Sequence, residues 1–165
     1  METINSIYFY KSNEKNGYMS NFFMCNFIDN SGVKFNCSEQ YFMYIKCLTF
    51  DPDNTILLTK ILNEKNPVKV KKYGRMVKNY NDVFWKNRRY TVMMDALYYK
   101  FNQNDNIKKK LIQTNNKQLY EATKNDRIWG IGFSLKDITN IDKNRYGKNL
   151  LGKALMEFRN NELII

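Results

Sequence analysis

The chain opens with three short runs of residues that favour strands: Ile7-Tyr8-Phe9-Tyr10, Phe23 to Ile28, and Val33-Lys34-Phe35. Asp29-Asn30-Ser31-Gly32, a string of turn formers, separates the last two, so a small N-terminal sheet or hairpin is expected. From residue 37 onward the apolar period becomes helical, with Tyr41, Tyr44, Ile45 and Leu48 at three-and-four spacing. Asn36 followed three residues later by Glu39 has the form of a capping box at the start of that helix. Asp51-Pro52 and Asn66-Pro67 each place a cap-type residue before a proline, predicting two further helix starts, the second stopping at Gly74.

The longest periodic segment begins near Asn81-Asp82 and carries Val83, Phe84, Met93, Met94, Leu97, Tyr98 and Phe101, an apolar face broad enough for a central core helix ending near Gln103-Asn104. Trp85 is placed opposite much of that face. Shorter helices are predicted over 107–113 and 117–123, and a last one through Leu150, Leu151, Ala154, Leu155 and Phe158. No repeat or low-complexity linker interrupts the pattern. The expected fold is α+β, mostly α, with about six or seven helices and a single domain over residues 1–165.

Composition narrows the chemistry. The chain has 165 residues, 43% of them hydrophobic, which suits one ordinary domain. Lys, Asn or Asp breaks every apolar run before the roughly 20 residues that a membrane span needs. The N-terminus lacks the basic-then-apolar pattern of a signal peptide, so a soluble cytoplasmic or nuclear protein in a reducing compartment is expected. Cys25, Cys37 and Cys47 are odd in number and never form C-x-x-C, which suggests neither a disulfide framework nor a zinc knuckle. The chain contains no histidine, which removes the commonest general base, the commonest zinc ligand and any Ser-His or Cys-His nucleophile pair. Carboxylates, lysine, tyrosine and backbone dipoles remain. A formal charge of +11 fits an anionic partner, although a solvated lysine surface explains it equally well.

Several segments, taken in order, carry a resemblance. They are Ser20-Asn21-Phe22, Ser38-Glu39-Gln40-Tyr41-Phe42-Met43-Tyr44 with Lys46, Gly74-Arg75, Trp85, and Lys100-Phe101 with Gln103-Asn104. Leu119 with Glu121-Ala122, Asp126 before Trp129-Gly130-Ile131-Gly132, and Gly147 with Asn149-Leu150-Leu151-Gly152, Leu155-Met156 and Arg159 complete the set. Together they resemble the NADAR family, also described as YbiA-like N-glycosidases, over nearly the whole chain. The resemblance implies an α+β, largely helical fold and hydrolysis of N-glycosides without a metal or other cofactor. It also implies two substrate classes: ADP-ribose on guanine in DNA, RNA or nucleotides, and phosphorylated ribosylamino-pyrimidine intermediates of riboflavin synthesis. Two departures stand out: Cys47 replaces a common alanine, and Asn140 to Arg145 form an Asn- and Lys-rich segment before Gly147.

Breaking a ribose C1–N bond builds positive charge on the sugar and negative charge on the leaving nitrogen, which calls for a carboxylate near C1 and a donor toward the base. Glu39, Met43 and Lys46 share one helix face, so a carboxylate and an ammonium can look into one pocket. Glu39 then either steadies the cationic sugar or activates water; as an alternative, it only closes the capping box. Lys46 either binds phosphate, attacks an opened sugar as a Schiff-base amine, or is a solvated helix lysine. Asp126 is a candidate second carboxylate or ribose ligand, with a turn cap as the alternative. Gly130 and Gly132 let backbone approach a ligand, and Trp129 offers a face for stacking on a base or a plug for the core.

Binding roles are assigned to Ser20, Asn21, Phe22 and Gln40 near the first helix, and to Arg75 as a phosphate fork or a surface ion pair. Trp85 faces a pocket or a core. Gly147 and Asn149 shape the start of the last helix, where exposed N–H groups favour a phosphate. Three readings follow: a glycohydrolase for ADP-ribosylated guanine, an N-glycosidase for ribosylated pyrimidine phosphates, and a non-catalytic module that binds ADP-ribose or nucleic acid, with no membrane partner in any of them.

Overall fold

A computed structural model describes residues 1–163, which fall into two units, one of Asn21–Asn104 and one of residues 1–20 together with those from Asp105 onward. The described residues hold six α-helices, four short strands and three single-turn 3₁₀ segments, an α+β chain in which helix predominates.

In the first unit, β2 (Phe27–Ile28) and β3 (Lys34–Phe35) form an antiparallel hairpin around the expected turn, where Gly32 takes the left-handed φ of 84°. The strands are shorter than the apolar runs suggested, and Met24 is exposed. Helix α1 (Ser38–Phe50) follows, but no capping box starts it. Cys37 is the N-cap without a side-chain bond, and the Asn36 amide donates to the Glu64 carbonyl at 3.0 Å. Leu48, counted on the apolar face, is exposed; the buried positions are Ser38 to Met43 and Cys47.

The start expected at Asp51-Pro52 lies three residues downstream. Asp51 instead closes α1, donating its N–H to the Cys47 carbonyl at 2.8 Å, and Pro52 sits where a helix cannot continue. Asn54 caps α2 (Thr55–Asn63) through Leu57 N–H at 3.0 Å. Helix α3 (Pro67–Gly74) begins as expected, with Asn66 as cap and Pro67 at the first position. At its end Gly74 abuts the Met43 side chain, leaving no room for a β-carbon.

Helix α4 (Asp82–Asn102) is capped by Asn81, as its sequence indicated, and buries Met93, Leu97 and Phe101 of the expected face but not the rest. Val83, Phe84 and Tyr98 are exposed, and the inward stripe is Trp85, Arg89, Val92, Met93, Ala96, Leu97, Lys100 and Phe101. Trp85 therefore lies on the Met93–Leu97 side of the helix, not opposite it. Helices α2, α3 and α4 all pack on α1, which makes α1 the central element of this unit.

In the second unit, β1 (Ser6–Phe9) runs parallel to β4 (Gln118–Glu121), with Ser6 paired to Gln118 and Phe9 to Glu121. A helix was expected over residues 117–123. Gln118, Leu119, Tyr120 and Glu121 instead form a strand whose backbone pairs with β1, with Leu119 fully buried. Helix α5 (Asp105–Ile112) and helix α6 (Leu150–Glu162) flank this ribbon: α6 packs on β4 and α5, and Gly152 admits the Leu119 carbonyl. Arg159, buried on α6, donates to Thr114 Oγ1 at 2.8 Å and to the Lys117 carbonyl at 2.9 Å. The Asn- and Lys-rich segment folds into two 3₁₀ turns, Ile138–Asn140 and Lys143–Arg145.

Candidate active site

Within the first unit, the candidate residues gather on the α1 face. Glu39, 5% exposed, is held at the first turn of the helix, where its own N–H donates to the Asn21 carbonyl at 3.0 Å. That bond fixes the Asn21-Phe22 segment against the helix start, and a carboxylate there is favoured by the amide dipoles of the first turn. Asn21 is itself buried, and its Oδ1 has no hydrogen-bond partner among the described residues, so an acceptor is left open. The Phe22 ring receives the Lys71 ammonium at 5.8 Å from its centroid.

Two turns along α1, Lys46 Nζ donates to the Gly74 carbonyl at 2.8 Å and stands 4.4 Å from the centroid of the Tyr80 ring. Partial burial pushes this amine below the usual lysine range; the negative charge of Glu39 opposes the shift and the positive charge of Arg75 adds to it. Lys46 thus feels both Glu39, its neighbour on the α1 face that the helical spacing indicated, and Arg75. Arg75 is exposed, just past the end of α3. The elements that deliver these groups are α1 for the carboxylate and amine and the α3 terminus for the guanidinium.

Two other candidates in this unit serve as braces. The Gln40 amide donates to the carbonyls of Ile61 and Leu62, both at 2.9 Å, and of Glu64 at 3.1 Å, while its oxygen accepts the Asn36 N–H at 2.7 Å. Its polar atoms are thereby committed to tying α1 to the end of α2. Trp85 is 4% exposed, with its ring 5.1 Å from that of Phe42 and 5.8 Å from that of Phe50, which supports the face carrying Lys46.

Within the second unit, the Asp126-to-Gly132 loop is built by side-chain capping. Asp126 Oδ1 accepts the N–H of Ile128 at 3.0 Å and of Trp129 at 2.9 Å, an Asx turn that presents a half-buried indole. Gly132 takes φ 81°, which an L side chain rarely adopts, and a β-carbon on Gly130 would meet the Glu121 carbonyl at 2.8 Å. Gly130 is therefore needed for backbone to pass backbone inside the loop. Gly147 has the same role: its β-carbon would lie 2.6 Å from the Arg127 carbonyl.

Asn149 adopts a left-handed conformation at φ 51°, accepts the Glu121 N–H at 3.0 Å and donates to the Leu119 carbonyl at 2.8 Å. The first amides of α6 were expected to be open for a phosphate. They are occupied instead, Leu150 N–H by the Ile128 carbonyl and Leu151 N–H by the Trp129 carbonyl, both at 3.1 Å. Ser20, the last residue of this unit's first segment, is buried and donates its N–H to the Gly17 carbonyl at 2.9 Å.

The residues that sequence reasoning passed over are Tyr80, which takes the Lys46 ammonium on its ring, and Arg89, buried on α4. The one available signal for Arg89 was its four-residue spacing from Trp85, which puts both on one face. Among the described residues, no three of Cys, Asp and Glu gather into a group that could hold a metal ion, and no helix is long and apolar enough to cross a membrane.

The sequence model of the NADAR domain matches residues 8–162. The chain belongs to the NADAR family. An N-glycosidase of Acanthamoeba polyphaga mimivirus is 34% identical over 96% of this NADAR chain and 97% of its own length. A riboflavin biosynthesis protein of Vibrio vulnificus is 29% identical over 93% of this chain, which covers 37% of that longer protein. The NMR structure of Escherichia coli YbiA superposes with a TM-score of 0.77 at 30% identity, covering 99% of this chain and 88% of YbiA. This NADAR protein is accordingly an N-glycosidase, a hydrolase of N-glycosyl bonds, and the alternative of a non-catalytic binding module is set aside.

Proposed function

We propose that this N-glycosidase removes ADP-ribose from guanine in nucleic acid or nucleotides by adding water across the ribose C1–N bond. The observation that supports this most is the pairing of Glu39 and Lys46 on one face of α1, a buried carboxylate and a half-buried amine of lowered basicity. As the C1–N bond lengthens, the ribose ring turns cationic, and a carboxylate fixed in a site of low polarity steadies that charge more strongly than water does. Water then adds its oxygen to C1, and its proton ends on the departing nitrogen. Glu39 is the group proposed to meet the cation or accept the proton from water. Lys46 is proposed to bind phosphate or to form a Schiff base with an opened sugar.

Arg75, exposed beside this face, suits a substrate that carries phosphate, because a guanidinium grips two oxygens at once. For Trp129 we keep, as a separate proposal, the role of stacking on a base; Asp126 Oδ1 is engaged in the Asx turn that shapes the loop, which supports the cap role given as its alternative. The unbroken family match over residues 8–162 supports reading the chain as one NADAR domain.

The name of the Vibrio relative favours a second reading, in which the substrate is a phosphorylated ribosylamino-pyrimidine. Parallel incubations with DNA ADP-ribosylated on guanine and with such a pyrimidine phosphate, followed by chromatography of the released base, separate the two. Faster release from the guanine adduct is expected; release confined to the pyrimidine transfers the assignment to the second reading.

A further inference from the structure

On the solvent side of α4, Phe84, Arg88, Thr91, Asp95 and Tyr98 are all exposed and follow one another at steps of four, three, four and three residues. At about 100° per residue they fall in a stripe roughly 80° wide. The stripe is symmetric about Thr91: an aromatic ring stands seven residues to either side, with a guanidinium between centre and ring on one side and a carboxylate on the other.

Phe84 and Tyr98 are 50% and 57% exposed. Each ring is steadied on one side, Phe84 by Phe50 at 5.9 Å and Tyr98 by Tyr99 at 5.8 Å, so little side-chain freedom is left to lose on contact. Arg88 and Asp95 lie about 10.5 Å apart along the axis, and none of the ion pairs among the described residues includes either. Beside the stripe runs a groove of about 440 Å³, whose lining includes Tyr41 and Ile45 of α1 and Phe84, Arg88, Thr91 and Asp95 of α4.

The complement of this stripe is the same stripe running the other way. About a two-fold axis at Thr91, Phe84 meets Tyr98 of a second copy at the mouth of the groove. Arg88 meets Asp95 of that copy, one residue or about 1.5 Å from exact axial alignment, which an arginine side chain spans with ease. Two-fold symmetry makes each contact twice. A parallel pairing would instead set Arg88 on Arg88 and Asp95 on Asp95, so the charges select the antiparallel one. The net charge of +11 opposes association over most of the surface, whereas the stripe, with one cation and one anion, is neutral.

We infer that the exposed stripe of α4 is a homodimer interface, through which two copies of this chain pair by antiparallel α4 helices about a two-fold axis at Thr91. Five positions per helix over about 21 Å make a contact at the small end of specific interfaces, so the dimer is reversible. The inference is independent of the proposed reaction, since none of the five residues belongs to the proposed active site.

Sedimentation velocity of the intact chain from about 1 to about 500 µM tests it. For wild type the sedimentation coefficient is expected to rise with concentration toward that of a dimer. Arg88→Asp and Asp95→Arg each set like charges against one another twice, and each is expected to weaken self-association at least about tenfold. Both positions are exposed, so the variants are expected to keep the circular dichroism and melting of the wild-type monomer. An equal mixture of the two variants is expected to restore the dimer, because one copy then brings two carboxylates to the stripe and the other two guanidinium groups. A wild type that stays monomeric at the highest concentration overturns the interface. So does a dimer that both reversals leave intact, or one that both weaken and their mixture does not recover.

Discussion

Asn149 shows how much a single side chain contributes here. At φ 51° it occupies a conformation that asparagine tolerates better than most residues, and its amide satisfies the Glu121 N–H and the Leu119 carbonyl together. Asn149→Ala removes both bonds, leaves two strand groups unsatisfied and places alanine in a left-handed backbone. A loss of about 2–4 kcal/mol of folding stability is expected from urea denaturation; a loss below roughly 0.5 kcal/mol, the range of an ordinary surface change, contradicts this role. Sequence placed Asn149 at the start of the last helix but gave no means of seeing that it reaches back 28 residues to β4. Glu39 and Lys46 were legible as one helix face because spacing alone settles that. The cap role offered as an alternative for Glu39 was also legible, and it fails because Asn36 turns to the Glu64 carbonyl.

Among elements, α4 is where pattern and structure part. Its caps and length were plain in Asn81-Asp82 and Gln103-Asn104, yet its inward stripe was only partly legible, because Arg89 and Lys100 are polar and an apolar pattern does not count them. Lys100 is fully buried, and that burial lowers its amine to about 8, well under the ordinary 10.5. The unfolded chain then holds the Lys100 proton more tightly than the folded one, so this residue makes stability rise with pH between about 8 and 10.5, and its charged form weighs against the fold below that window.

In Lys100→Met that slope disappears. The stability difference between variant and wild type, followed by denaturation at pH 7.5, 9 and 10.5, is expected to shift toward wild type by on the order of 3 kcal/mol across the window. A difference independent of pH contradicts the buried-amine account. The strand β4, by contrast, escaped notice because four residues are too few for periodicity to separate strand from helix, and its partner β1 lies more than a hundred positions earlier.

For the whole molecule, the family was legible because many weak motifs occur in the right order along 165 residues, a constraint that no single W-G-x-G supplies. The net charge of +11 was less informative than the placement of individual cations, since Lys46 on α1 is the one that feels both the Glu39 carboxylate and the Arg75 charge at the α3 terminus. The proposed reaction depends on a carboxylate, and single-turnover base release by Glu39→Gln in the presence of a chelator measures that dependence most directly. The amide keeps the shape of the side chain and removes its charge, so the rate is expected to fall by about 100-fold or more while ribose 5-phosphate binds within about threefold of wild type. Release of base by Glu39→Gln at the wild-type rate would contradict the account.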